Sequence, residues 1–253
     1  MDLFRVALLV AASVLSATVA RADDVAAFLA GRSRSCVKCT LVAAALKQKD
    51  LAGDDLTGAD LSSAVMHRAK LGGVKLDGAN LTDANLNKTD LKTASLVGAK
   101  AENAMFYGSD LSAANLSEAD LVNTKMQTAY LVRAKLDRAK ISDAMLNAAR
   151  LDDASLQGAD LSKTNLVEAS LRRANLEGAN FDNAGLVSAV LRDAKLKGAR
   201  LTEADLYGAD LSGADLSGAD LSGARLTGAI LTGAILTGAK LTGTLMPDGS
   251  VHE

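Results

Sequence analysis

The chain has 253 residues, 49% of them apolar, yet no Trp, three Tyr, four Phe and one Pro. Aromatic side chains fill the large gaps of irregular cores, so 3% aromatic content excludes that kind of interior, and a mean hydropathy of +0.13 excludes disorder. A balance of 28 basic against 30 acidic side chains gives no support to a nucleic-acid binder. Two Cys and two His leave few soft metal ligands or nucleophiles.

Met1 to Ala22 has the layout of a secretory signal peptide. Arg5 and the amino terminus start it, and an apolar run from Val6 to Ala20 follows, broken only by Ser13, Ser16 and Thr18. Ala20-Arg21-Ala22 puts small residues where a peptidase reads them, so cleavage is expected between Ala22 and Asp23. The run of about 15 residues is shorter than the roughly 20 of a spanning helix. The expectation is export to a bacterial periplasm or beyond, with no membrane attachment after cleavage. Asp23 to Gly31, with Val25, Phe28 and Leu29, reads as a short amphipathic helix.

A five-residue repeat governs nearly everything else. Of the 39 positions from Leu51 to Leu241 whose numbers end in 1 or 6, 33 are Leu; the others are Met66, Ala101, Phe106, Met126, Ile141 and Phe181. Two residues earlier, 32 of the 39 are Ala, the exceptions being Lys49, Asp54, Val74, Thr89, Ser109, Thr124 and Thr164. A helix turns about 500° over five residues, which would scatter the Leu round its axis and leave no stripe to bury. In an extended segment Ala and the Leu two places on share a face. Each block therefore reads as a very short strand and a two-residue corner, the corners carrying turn pairs such as Ser212-Gly213. So short a strand needs partners for its backbone, and the copies in phase are other coils of the same chain. A parallel solenoid with Leu and Ala inside follows, and an inward Ser or Thr is tolerated where its hydroxyl reaches a carbonyl.

The run Ala-Asp-Leu-Ser-Gly at Ala209–Gly213, Ala214–Gly218 and Ala219–Gly223 resembles the pentapeptide-repeat family, and the resemblance covers Leu51 to Leu241. It implies an all-β fold, a right-handed quadrilateral parallel β-helix with four blocks per coil; periodicity alone does not supply the number four. With a short N-terminal helical cap, the expected organisation is a leader over 1–22, a cap over 23–50, the β-helix over 51–245 and a tail over 246–253. Met246-Pro247-Asp248-Gly249-Ser250 has turn chemistry, and Pro247 removes a ladder donor.

Cys36-Val37-Lys38-Cys39 resembles a Cys-x-x-Cys lead-in found before bacterial pentapeptide arrays, although Thr40 stands where Asp or Asn is usual. Lys49 and Asp54 place charge at inward positions and speak against regular coil over Ala43–Asp55. Four readings stay open for Cys36 and Cys39: small core thiols, a cap-stapling disulfide, redox chemistry, or metal ligands. The redox reading lacks a βαβ surrounding, the metal reading lacks two further ligands, and covalent haem is excluded by Thr40.

If four blocks make a coil, residues twenty apart stack. One column then reads His67, Asn87, Tyr107, Gln127, Asn147, Val167, Val187, Tyr207, Thr227, beside Val65, Met105 and Met145. Tyr and Met are enriched at protein interfaces, so Tyr107, Val167, Val187 and Tyr207 are interface candidates; scattered surface apolar residues are the plainer reading. Ile230 and Ile235 sit where Asp, Asn or Lys is usual and suggest a homodimer through the C-terminal coils, as the resemblance allows. Arg133, Arg150, Arg172, Arg173 and Arg192 interleave with Asp152, Asp153 and Asp193, a mixture that suits a solvated surface. The expected function is a non-enzymatic exported scaffold binding an unidentified protein partner, with no cofactor. The alternative is a DNA-mimicking inhibitor or protector of a type II topoisomerase, which the near-neutral charge and the leader oppose.

Overall fold

The computed structural model describes residues 22–253. Residues 1–21 of the expected leader lie outside the described residues, and the expected cleavage junction, Ala22 and Asp23, forms the start of helix α1 (Ala22–Leu29). Asp23 and Asp24 complement the positive end of that helix. It ends in paired backbone bonds, Arg32 N–H to Ala27 O at 2.8 Å and Gly31 N–H to Phe28 O at 2.9 Å, with Gly31 at φ 70°. A left-handed residue is what this termination requires, and glycine adopts it without steric cost. Phe28 is buried and Val25 packs partly against the same core.

From Ser35 onward the chain is one four-sided solenoid. Each residue whose number ends in 0 or 5 pairs in parallel with the residue twenty places on, from Ser35↔Asp55 to Arg225↔Leu245, without interruption. Twenty residues therefore make a coil, four blocks to the turn. The ladder starts at Ser35, inside the segment expected to be cap, and Ala45↔Val65 and Asp50↔Lys70 show that Ala43–Asp55 is regular coil after all. The two inward charges are accommodated at the coil end. Lys49 has no coil above it and turns to solvent, while Asp54 stays buried against Arg34, whose Nε lies 2.5 Å from its Oδ1. At about 4.8 Å between stacked strands the rod is roughly 50 Å long.

The core is a single column of Leu and Ala, nearly all of it closed to solvent. Each Leu→Ala truncation there is worth about 2–5 kcal/mol. Ala101 and Phe106, small and large in neighbouring blocks, are both fully buried. Inward hydroxyls find carbonyls: Thr89 and Ser109 both donate to Leu86 O at 2.6 Å, Thr124 to Leu121 O at 2.7 Å and Thr164 to Ile141 O at 2.9 Å. Such bonds remove the penalty of burying a polar group in an apolar column.

The backbone can be accounted for block by block. Ala59 N–H closes the corner on Leu56 O at 3.0 Å, Asp60 N–H bonds Cys39 O in the coil before, and Leu61 and Ser63 N–H bond Asn80 O and Thr82 O in the coil after. The first corner residue, Ser62, has no ladder acceptor for its N–H. Asp60 Oδ1 takes that proton at 3.1 Å and the Ser62 hydroxyl at 2.7 Å. The same bond recurs at Asp55, Asp110, Asp210, Asp215 and Asp220. Elsewhere a neighbouring coil supplies the acceptor, as Asp77 does for Val97 N–H and Asn87 for Tyr107 N–H. The outward Asp and Asn of the repeat are thus corner acceptors as well as solvating groups.

The second corner residue takes positive φ throughout the coils, in a type II-like turn. Glycine occupies it in every block from Gly208 to Gly243, but β-branched Thr93 and Thr128 hold it at φ 55° and 58°. An L side chain there costs about 1–2 kcal/mol. Gly178→Ala, at φ +64° with open space round the added methyl, is therefore expected to destabilise by about 1–2 kcal/mol. Thr128→Gly is expected to stabilise by up to about 1 kcal/mol, both read from urea unfolding.

Hydrogen bonds from the corner residues Thr57, Ser217 and Ser222 hold Asp55, Asp215 and Asp220 below the ordinary carboxylate value. Burial pushes Asp54 the other way, against the pull of Arg34. A depressed carboxyl contributes stability above its unfolded pKa and loses it as pH falls through its folded pKa; a raised one does the opposite. Depressed groups predominate. The urea midpoint is expected to fall as pH drops below about 4, and a midpoint constant down to about pH 3 contradicts this account.

Candidate protein-binding face

The coil period places His67, Asn87, Tyr107, Gln127, Asn147, Val167, Val187, Tyr207 and Thr227 on one side of the rod. Tyr107 and Tyr207 are 47% and 48% exposed, and Met145 beside them 45%. Val167, Val187 and Met105 are half-buried. The two Tyr stand five coils apart, roughly 24 Å along the axis. Tyr207 is held rather than free: Arg225 lies 5.0 Å from its ring centroid and also chelates the Asp205 carboxylate. Tyr130 lies on the next side beneath Arg150, at 5.8 Å. Ile230 and Ile235 are exposed, but they belong to the two sides following and do not join the column.

The arginine cluster is paired with acid. Arg173 chelates Asp153 through two bonds of 2.7 Å, Arg192 bonds Asp210, and Arg150 and Arg172 flank Asp152 at 3.6 and 3.8 Å. Asp152 is itself half-spent on the next coil, accepting from the Ser170 hydroxyl and Arg172 N–H. Such compensation leaves little field for an outside anion.

Cys36 and Cys39 occupy an inward Leu site and an inward Ala site on either side of the first corner, Val37-Lys38, and form a disulfide with their Cα atoms 5.3 Å apart. Both are buried, so neither sulfur presents itself to a substrate. Among the described residues no group of three His, Cys, Asp or Glu is placed to hold a metal ion. His67 is half-buried on its coil and His252 lies in the C-terminal hairpin. No described helix is long and apolar enough to cross a membrane.

The C-terminal end holds what the repeat pattern conceals. Leu231, Leu236 and Leu241 read as core residues from the sequence, yet they are only partly buried because no coil follows them. The tail covers part of this end. Leu245 pairs with Arg225 in parallel and with Val251 in antiparallel, and His252 N–H and Gly243 N–H close a hairpin round Pro247-Asp248-Gly249. Pro247 does not stop the ladder outright, since its carbonyl accepts Gly228 N–H at 2.9 Å.

Comparison with known proteins agrees with this geometry. The sequence model for pentapeptide repeats matches in eight copies over residues 39–78, 75–112, 114–153, 149–186, 184–223 and 209–246. The crystal structure of HetL, a pentapeptide repeat protein involved in heterocyst differentiation regulation from the cyanobacterium Nostoc sp. strain PCC 7120, is 37% identical. The match covers 90% of this chain and 97% of that one, with a TM-score of 0.63. Full-length QnrB1, a plasmid-mediated fluoroquinolone resistance protein, is 25% identical over 60% of this chain and 78% of its own, with a TM-score of 0.49. Comparison with curated proteins gives no match. Membership of the repeat family and the likeness to HetL imply right-handed winding for the quadrilateral coil. The unbroken twenty-residue register, the Leu and Ala core and the family match lead to one conclusion: the chain belongs to the pentapeptide-repeat family.

Proposed function

We propose that this protein is a non-enzymatic scaffold, exported by its leader, that binds a protein partner along the side bearing Tyr107, Val167, Val187 and Tyr207. The observation that carries the reading is the alignment of these apolar and aromatic groups on one side of a rigid rod, with Tyr207 pre-oriented by Arg225. Pre-orientation lowers the ordering cost of binding. The involvement of HetL in regulating heterocyst differentiation accords with binding rather than catalysis. Topoisomerase mimicry asks for a continuous negative surface, and here Asp205, Asp210 and Asp220 are each matched by Arg225, Arg192 or Lys240.

A second reading, of self-association, rests on the C-terminal end. Half-buried Leu231, Leu236 and Leu241 lie beside exposed Ile230 and Ile235. A second copy seated there would bury the open core edge that the tail leaves uncovered.

Fractionation of the source cells is expected to place the processed protein, beginning at Asp23, outside the cytoplasm; an unprocessed cytoplasmic protein contradicts export. Affinity capture from that compartment is expected to recover a partner that Tyr107→Ala with Tyr207→Ala loses by at least about tenfold, since aromatic anchors dominate interface energy. Recovery equal to wild type removes this side from the reading. For self-association, sedimentation should show a dimer that Ile235→Lys converts to monomer, and a wild-type monomer at about 100 μM ends that reading.

A further inference from the structure

The N-terminal end of the rod carries a device that the binding reading does not use. The first coil has ladder bonds on one side only: Cys36 N–H to Asp55 O and Lys38 N–H to Thr57 O reach the second coil, and α1 takes the place of a coil above. An end coil of this kind is the part of a solenoid that opens first. Three features hold it down. Phe28 of α1 enters the same buried cluster as Cys36, Cys39 and Leu41. Arg34, just ahead of the ladder, ties the chain before the first coil to the last block of that coil, at buried Asp54 and the Ala52 carbonyl. The disulfide closes the first corner, where Lys38, a residue with a Cβ, is kept at φ 55°.

Position makes the disulfide more than a local staple. In every later coil the two sites it fills are held by an apolar column, Leu56, Leu76 and Leu96 under Cys36 and Ala59, Ala79 and Ala99 under Cys39. Two thiols fill less of that space than Leu with Ala and do not enforce the left-handed corner. The sulfurs are also out of reach, with Cys36 and Cys39 2% and 1% exposed. Exchange requires a thiolate to approach a sulfur directly, so α1 must lift before reduction can occur.

We infer that Cys36–Cys39 is a redox clasp for the N-terminal cap: oxidised, it holds the first coil and α1 shut; reduced, it lets them open and bare the ladder edge of the second coil. The step is a two-electron exchange with a dithiol. One thiolate of the dithiol attacks a cysteine sulfur, the S–S bond breaks, the second thiolate closes the reagent's own disulfide, and two protons leave Cys36 and Cys39 as thiols. The inference does not depend on the partner-binding reading.

Hydrogen exchange on the purified protein, followed by mass spectrometry with and without dithiothreitol and with thiols counted, tests it. Peptides across 22–45 are expected to exchange at least about tenfold faster after reduction, while the coils over 60–220 keep their rates. Cys36→Leu with Cys39→Ala, which restores the side chains of the later coils, is expected to exchange slowly in both conditions. Phe28→Ala is expected to speed reduction of the disulfide by about tenfold, because opening limits it. Equal exchange over 22–45 before and after complete reduction overturns the clasp. A reduction rate indifferent to Phe28→Ala overturns the gating by α1.

Discussion

The structure depends on a register of twenty residues between hydrogen-bonded coils. A three-residue strand forms too few bonds to persist alone, and it survives here because each block donates to the coil after it or before it. Once that register is set, other positions have little freedom. Inward sites must match the narrow axis, which is why Leu and Ala alternate with almost no insertion of larger groups. One-residue slippage would turn every Leu to solvent, and that penalty locks the phase from Ser35 to Leu245.

The same register explains the outer residues. Charged side chains stack at strand spacing, so like charges directly above one another would repel. Along one column Lys100, Asp120, Lys140 and Asp160 alternate in sign, and Lys140 Nζ sits 3.6 Å from an Asp120 oxygen. Such exposed pairs stabilise little individually. They pair part of the surface charge, whereas the column from His67 to Thr227 holds no Asp, Glu, Lys or Arg, which makes the side bearing Tyr107 and Tyr207 chemically distinct. Outer Asp and Asn have a further duty at the corners, and from Lys125 to Ser155 that position holds Lys, Tyr, Met, Arg or Ser instead.

The two ends solve one problem in different ways. At the N-terminus a helix, a buried ion pair and a disulfide cover the first coil; at the C-terminus a short hairpin covers part of the last. The covered end carries a disulfide and the other leaves Leu231, Leu236 and Leu241 partly open, so the two ends differ in chemistry as well as in strand direction.

The sequence by itself determined the architecture. A five-residue period with Leu and Ala two apart is incompatible with a helical stripe, and it marked nearly all of the side chains that lie inside, including Thr89, Ser109, Thr124 and Thr164, whose carbonyl acceptors only the stacked coils identify. It also disclosed the helix carrying Phe28. The number of blocks per coil was not legible, because period five says nothing of how many corners close a turn; the pairing of residues twenty apart decided it. The true start of the coil was only half legible: Cys36 and Cys39 fall in phase with the Leu and Ala sites, but the charged residues after them speak against regular coil. Lys49 and Asp54 look forbidden inside a repeat, and only the end position of Lys49 and the reach of Arg34 make them tolerable. Among the four readings of Cys36 and Cys39, the corner decided, since a turn brings its first and fourth residues together. The half-exposure of Leu231, Leu236 and Leu241 was hidden for the complementary reason: pattern identifies a core residue, but only the stacking of coils says whether anything lies on top of it.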